Sequence, residues 1–312
     1  MFRVLSIDGG GFRGVFAAHI LKRMEEEFKI SSWVNQFDLF AGTSTGSIIA
    51  AGLVCGLRAS EICQLYESLG NKVFRKRWCC KIWKIGWIPA MFMSPYSTVV
   101  LKKELDKAFG NKRLGDYPST PLIIPATDIA NGGVHVFKTS YDPEFVRDPE
   151  ERIADAVLAS CSAPTYFDPY RTNKYMLADG GLWANNPSLA AVLDSKYRLK
   201  KNLDEIKVLS IGTGESKTFY PMRETVWDRM CGWGFLSRWK RSQLIDFILS
   251  LQSLSAQNML GFLLPKENIL RINYKTDLKE PMDDPKALDD LVSKADKLFT
   301  DESSKIRSFT QL

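Results

Sequence analysis

Histidine is nearly missing from this chain: 312 residues hold only His19 and His135. Catalysis built on imidazole therefore has little to draw on. The six cysteines, at 55, 63, 79, 80, 161 and 231, form no C-x-x-C pair. Neither histidine lies near a cysteine cluster, so no zinc site or other metal is expected. No apolar run approaches the roughly 20 residues needed to span a bilayer; the longest, Ile48–Leu57, is interrupted by Gly52 and Gly56. The opening MFRVLSIDGGG lacks a basic region, an apolar run and a small-residue cleavage site in signal-peptide order. The expected location is the cytosol, with the thiols reduced. Internal repeats and low-complexity linkers are missing too.

The composition is that of a folded protein, with 45% hydrophobic and 25% charged residues and a net charge of +6. Disordered and fibrous chains are thereby excluded. Strand and helix patterns alternate. Strands are expected at Phe2–Ile7, Phe37–Ala41, Leu122–Ala126, Val134–Lys138, Tyr175–Ala178 and Val208–Ile211. Helices are expected at Val15–Phe28, Ser47–Cys55, Pro149–Ser160 and Pro187–Tyr197. This order predicts an α/β fold with a mostly parallel central sheet and helices on both faces. We read residues 1–312 as one domain with two insertions rich in Trp, Lys and Arg, near 71–96 and 216–265. A C-terminal helix over 285–299 has Asp284 as cap and Pro285 at its first position.

Gly42-Thr43-Ser44-Thr45-Gly46 is a G-x-S-x-G motif between a strand and a helix. Such a turn needs residues without Cβ beside the serine, and it presents the hydroxyl at a helix N-terminus, where the dipole favours developing negative charge. A second motif, Asp8-Gly9-Gly10-Gly11-Phe12-Arg13-Gly14, contains G-x-G-x-x-G. It reads as a dinucleotide fingerprint only if an acidic residue ends the second strand, and there the serine turn stands instead. Val15-Phe16 excludes a P-loop, which requires Lys-Ser/Thr. What remains is a nest of backbone N–H groups for an anion, which beside a serine nucleophile is an oxyanion hole. Arg13 adds charge or braces the loop, and Asp8 fixes it. Asn185 and Asn186 suit the cap of the helix that starts at Pro187.

Two partners for Ser44 compete. Ser44, Asp128 and His135 keep a triad's chain order, but His135 sits in mid-strand. Asp179, in Ala178-Asp179-Gly180-Gly181, follows a strand and should emerge at the carboxyl edge of the sheet, where α/β folds place their sites. A carboxylate whose proton affinity is raised by burial serves as general base.

The D-G-G-G-x-R-G, G-T-S-T-G and D-G-G motifs, in this order, resemble the patatin-like phospholipases over about residues 1–215. Ala126-Thr127-Asp128, the run Ala159–Phe167 and Asn185-Asn186-Pro187 match as well. The resemblance implies a Ser44–Asp179 dyad that hydrolyses lipid esters without metal or cofactor. It gives the oxyanion role to Gly9, Gly10, Gly11 and Arg13, with Gly42 and Gly46 shaping the nucleophile turn. The run ATDIANGGVHVFKT is similar to bacterial anti-phage phospholipase effectors switched on by cyclic di- or oligonucleotides. Implied partners are a membrane phospholipid substrate met at the membrane surface, a cyclic nucleotide activator and a second copy in a homo-oligomer; no DNA or RNA polymer is expected. Two other function classes stand beside this reading: an oxidoreductase using the G-x-G-x-x-G loop, and a silent lipid-binding module. The Trp/Lys/Arg mixture suits a membrane interface, a nucleotide pocket, a lid or a solvated face.

Overall fold

The apolar alternation of the first strand carries through to the middle of an eight-stranded sheet. The computed structural model describes residues 1–74, 94–216, 220, 239, 241–276 and 281–311. In chain order the first elements are β1 (Phe2–Ile7), α1 (Gly14–Glu27), β2 (Leu39–Gly42), α2 (Thr45–Val54), α3 (Ala59–Lys72) and α4 (Thr98–Phe109). Then come β3 (Leu122–Asp128), β4 (Gly133–Lys138), α5 (Ile153–Ser160), β5 (Tyr170–Arg171), β6 (Met176–Asp179), α6 (Gly181–Ala184) and α7 (Ser188–Tyr197). The remainder holds β7 (Ile206–Ile211), β8 (Glu215–Ser216), α8 (Arg241–Leu263), β9 (Ile269–Ile272), β10 (Lys275–Thr276) and α9 (Leu288–Thr310).

Successive strand residues point to opposite faces, and the core divides accordingly. Val4, Leu39, Ala41 and Val208 bury with Ala191 and Val192 of α7 and Leu260 of α8. Leu5, Ile7, Phe40 and Leu209 bury on the other face, against α1, α2 and α9. The result is a sheet between two helix layers. Most of the expected elements are there within a few residues. Helices α3 and α4 and strand β9 stand where no element is expected, and α8 fills the second half of the expected insertion near 216–265. The C-terminal helix starts at Leu288 and runs on to Thr310; Asp284 accepts from Lys286 N at 3.0 Å over the preceding 3-10 turn. Of the two expected insertions, 75–93 and most of 217–240 lie outside the described residues.

The sheet is parallel on one side and mixed on the other. β3, β2, β1, β7 and β9 run the same way. β4 and β6 both run against β3. β4 pairs along β3 from Ile123 to Asp128, so β2 and β6 share the opposite edge of β3. β2 pairs with Leu122 and Ile123, and β6 with Ala126–Asp128. The C-terminal ends of β2 and β6 therefore point at each other, and each carries one chemically active residue.

Candidate active site

Ser44 sits in the turn between β2 and α2 with φ +52° and ψ −124°. A side-chain-bearing residue in that region costs about 1–3 kcal/mol and persists only when its surroundings hold it. They do so closely. A Cβ on Gly42 would lie 2.2 Å from Gly46 O, and one on Gly46 would lie 2.3 Å from Ile7 O. The chain thus doubles back onto β1 with no room for a side chain. Ser44 N donates to Ser160 Oγ at 2.9 Å, and Ser160 Oγ donates to Pro125 O at 2.6 Å. Thr43 Oγ1 donates to Ala184 O at 2.6 Å. Ser160 lies in the run Ala159–Phe167, which matches a family motif, yet nothing local in the sequence marks it as the strut under the turn.

Asp179 closes β6, in register with Ala126. Its carboxylate stands near the Ser44 hydroxyl, which lowers its proton affinity, and through Oδ1 accepts a hydrogen bond from Gly181 N at 2.7 Å. Burial pushes the carboxyl up to about 6, although Ser44 and Gly181 N work against the rise. The expected meeting of Ser44 and Asp179 is there, but the route differs. Asp179 does not lie at the carboxyl edge of parallel strands; an antiparallel strand delivers it head-on to the serine turn. Strand direction depends on a distant pairing partner and leaves no local trace. The two glycines after Asp179 are close-approach positions. A Cβ on Gly180 would meet Pro125 O at 2.2 Å, and one on Gly181 would meet Leu249 Cδ2 at 2.7 Å.

Ser44 and Asp179 lie in the wall of a cavity of about 800 Å³, counting its open mouth. Ile48, Leu69, Val73, Phe74, Leu101 and Phe167 supply apolar walls. Gly10 and Gly11 belong to the same wall, and among the described residues their N–H groups have no protein acceptor. Gly9 differs, since its N–H donates to Asn185 O at 3.0 Å. Arg13 also departs from expectation: it lines a second cavity behind the loop, not the one holding Ser44. Asp8 braces the loop, its two oxygens taken by Arg271 at 2.8 and 2.6 Å.

The residues of the rival triad lie apart from this wall. His135 is buried in β4 with Asp148 at 3.4 Å and the Phe137 and Tyr175 rings around it. Asp128 accepts from Ala130 N, Asn131 N and Asn131 Nδ2, tying the turn into β4. His19 pairs with Asp296 of α9 at 3.1 Å. Of the two asparagines, Asn186 caps α7, accepting from Ser188 N at 3.0 Å. Asn185 does not; its side chain wedges between Gly9 and Gly181 and lines both cavities.

The family profile described as patatin-like phospholipase matches residues 5–192. The chain is 32% identical over 255 residues to a protein of Escherichia coli strain TW11681 named cGAMP-activated phospholipase, covering 76% of this chain and 70% of that one. A Pseudomonas aeruginosa protein (strain BWHPSA011 / Pa011) of the same name is 31% identical, covering 92% and 82%. An Escherichia coli protein named cUMP-AMP-activated phospholipase is 30% identical, covering 87% and 80%.

Proposed function

The chain belongs to the patatin-like phospholipase family, and from that premise we propose that it cleaves fatty acyl esters of membrane phospholipids with a Ser44–Asp179 dyad, under the control of a cyclic nucleotide. The observation that carries the reading is that the Ser44 hydroxyl and the buried Asp179 carboxylate stand together in the wall of one apolar cavity. Asp179 takes the Ser44 proton as Oγ attacks the ester carbonyl. The N–H groups of Gly10 and Gly11, in the wall of the same cavity, hold the tetrahedral oxyanion. Asp179 returns the proton to the departing alkoxide, leaving an acyl-serine and a lysolipid. A water then attacks the acyl carbon and gives its proton to Asp179. The intermediate collapses, Ser44 regains its proton and the fatty acid leaves. In this reading Gly10 and Gly11 are the donors in preference to Gly9, whose N–H donates to Asn185 O, and to Arg13, which lines the other cavity.

The activation step rests on the names of the relatives, two called cGAMP-activated and one cUMP-AMP-activated, and it agrees with the resemblance to anti-phage effectors. Such control suits a cytosolic enzyme that would otherwise attack its own membrane. Among the described residues no helix is long and apolar enough to cross a membrane. Peripheral contact is supported by α8, which lines the cavity with Ile245 and Leu249 and exposes Leu251, Leu254, Met259 and Phe262. We also take 1–312 as one catalytic unit, since β7 and β9 extend the sheet beyond the residues the family profile matches.

The test is a fluorophosphonate label mapped by mass spectrometry, run beside hydrolysis of fluorogenic phospholipid with and without cGAMP and cUMP-AMP. Label on Ser44 and hydrolysis that rises with a nucleotide are expected. Label on another residue would remove the dyad, and hydrolysis indifferent to both nucleotides would remove the control.

A further inference from the structure

The second cavity, about 900 Å³ counting its open mouth, lies across the glycine loop from Ser44. Asp8, Gly9 and Arg13 form one side, and Gln257 of α8 another. Among the described residues its close ion pair is Asp8 with Arg271, which is internally satisfied. Three side chains of its wall are not. Arg13 Nε, Asn185 Oδ1 and Gln257 Oε1 are buried and have no hydrogen-bond partner among the described residues.

The Asn185 amide orientation follows from its neighbours. Ser253 Oγ donates its single proton to Asp8 Oδ2 at 3.3 Å, so it accepts from Asn185 Nδ2 at 2.9 Å. Oδ1 is then the atom left over. Buried polar atoms are ordinarily paired, and several unpaired around one cavity call for an occupant. The set is one donor and two acceptors. A planar group with an amino nitrogen carrying two hydrogens, next to a ring nitrogen, answers all three. Adenine is such a group: N6 donates twice, while N1 and N7 accept on either side of it. Phe247 adds an aromatic ring to the same wall, and every base offers a face to such a ring. cGAMP and cUMP-AMP share AMP and differ in the other nucleotide.

We propose that this cavity holds the adenine of the activating cyclic nucleotide, with Asn185 and Gln257 accepting from its amino group and Arg13 donating to a ring nitrogen. The proposal rests on the cyclic-nucleotide control put forward above. It also gives that control a path. Asn185, Leu249 and Met282 line both cavities. Thr213 Oγ1 donates to Gly9 O at 2.6 Å, Asn185 O accepts from Gly9 N, and Met282 O accepts from Phe12 N at 2.7 Å. A ligand behind the loop thus bears on the backbone that presents Gly10 and Gly11 to the substrate.

The test is titration calorimetry on the full chain with cGAMP, cUMP-AMP and cyclic di-GMP, which lacks adenine. The wild-type protein should bind the first two at least tenfold more tightly than the third. Gln257→Leu should weaken both by tenfold or more while its thermal midpoint stays within a few degrees of wild type. Gln257→Glu, which keeps the acceptor, should bind better than Gln257→Leu and serves if the leucine variant fails to fold. No binding of either nucleotide to wild type overturns the control itself and the site with it. Tight binding to wild type that neither Gln257→Leu nor Arg13→Gln alters leaves the control standing and overturns the site. Equal binding of cyclic di-GMP overturns the assignment to adenine.

Discussion

The two sides of the glycine loop differ in how many polar groups stand in their walls. Toward Ser44 the walls are Ile48, Leu69, Val73, Phe74 and Leu101, and the charged residues of the described lining are Asp179, beside the serine, and Asp283. Toward Arg13 the wall is mixed, with Phe247, Leu249 and Met282 beside Arg13, Asn185 and Gln257, and a buried carboxylate is held by a bidentate arginine. Both sides bury an aspartate within the same small region. Burial raises the proton affinity of both; at Asp8 the Arg271 guanidinium works against that rise and ties the carboxylate into a brace, whereas at Asp179 the opposing groups are Ser44 and Gly181 N. Environment, not residue type, separates a base from a strut.

The sharpest break of this comparison is removal of the reactive pair. Ser44→Ala and Asp179→Asn should each lower kcat/KM on phospholipid by at least about 10³-fold, the order seen when a nucleophile or its base is lost. His135→Ala, which touches Asp148 and not the cavity, should stay within a few-fold of wild type. A dead but folded His135→Ala would replace the dyad by an imidazole mechanism. On the polar side, Arg271→Gln leaves Asp8 buried without its partner. We expect a loss of about 3–5 kcal/mol of stability, measured by denaturant unfolding. A loss below about 1 kcal/mol would mean that the loop does not depend on this pair.

How much of this was legible in the sequence follows from which features are local. The turn at Gly42–Gly46 is written in consecutive residues, because close chain approach forbids Cβ at both ends. Asp179 stands out by the glycines behind it, each pressed against a neighbour. The β1–α1 and β2–α2 units show as short apolar runs followed by helical spacing. What could not be read depends on distant partners. The direction of β6 is set by pairing with β3, some 50 residues earlier. Arg13 follows the glycine loop in sequence, yet turns to the other cavity because α8, more than 200 residues on, builds that cavity. Asn185 and Asn186 are adjacent and identical, and only the packing of α8 separates wedge from cap.

Titration probes the side of the loop that carries the base. Asp179 must be ionised to act as base, and its carboxyl is pushed up to about 6. kcat/KM should therefore be flat above pH 7 and fall about tenfold per unit below pH 6. Stability moves in the opposite sense. The folded state holds the proton more tightly than the unfolded chain, whose carboxyl titrates near about 3.9. The fold thus loses stability as pH rises between about 4 and 6, by about 1.4 kcal/mol for each pH unit separating the two values. Asp179→Asn, inactive as an enzyme, should then be up to about 3 kcal/mol more stable than wild type at pH 8, with no gain at pH 4. A variant less stable at both pH values would show that the carboxylate is a structural partner and that burial sets no cost on its charge.

The smallest expected effect probes the floor of the apolar side. Ser160→Ala removes the acceptor for Ser44 N and the donor to Pro125 O, both buried. Leaving such groups unpaired costs about 1–3 kcal/mol. The turn with φ +52° is the element nearest the loss. Part of the cost should therefore surface as a lowered rate of fluorophosphonate labelling at Ser44, about three- to tenfold, with the cyclic-nucleotide affinity unchanged. Ser160→Cys, which restores a weak donor and acceptor of similar size, should recover part of the labelling rate. If Ser160→Ala lost stability alone and kept the full rate, the strained turn would be held by Gly42, Gly46 and the contacts of Thr43 without help from Ser160. If nucleotide affinity fell with it, the two sides of the loop would be coupled through the turn as well as through Asn185.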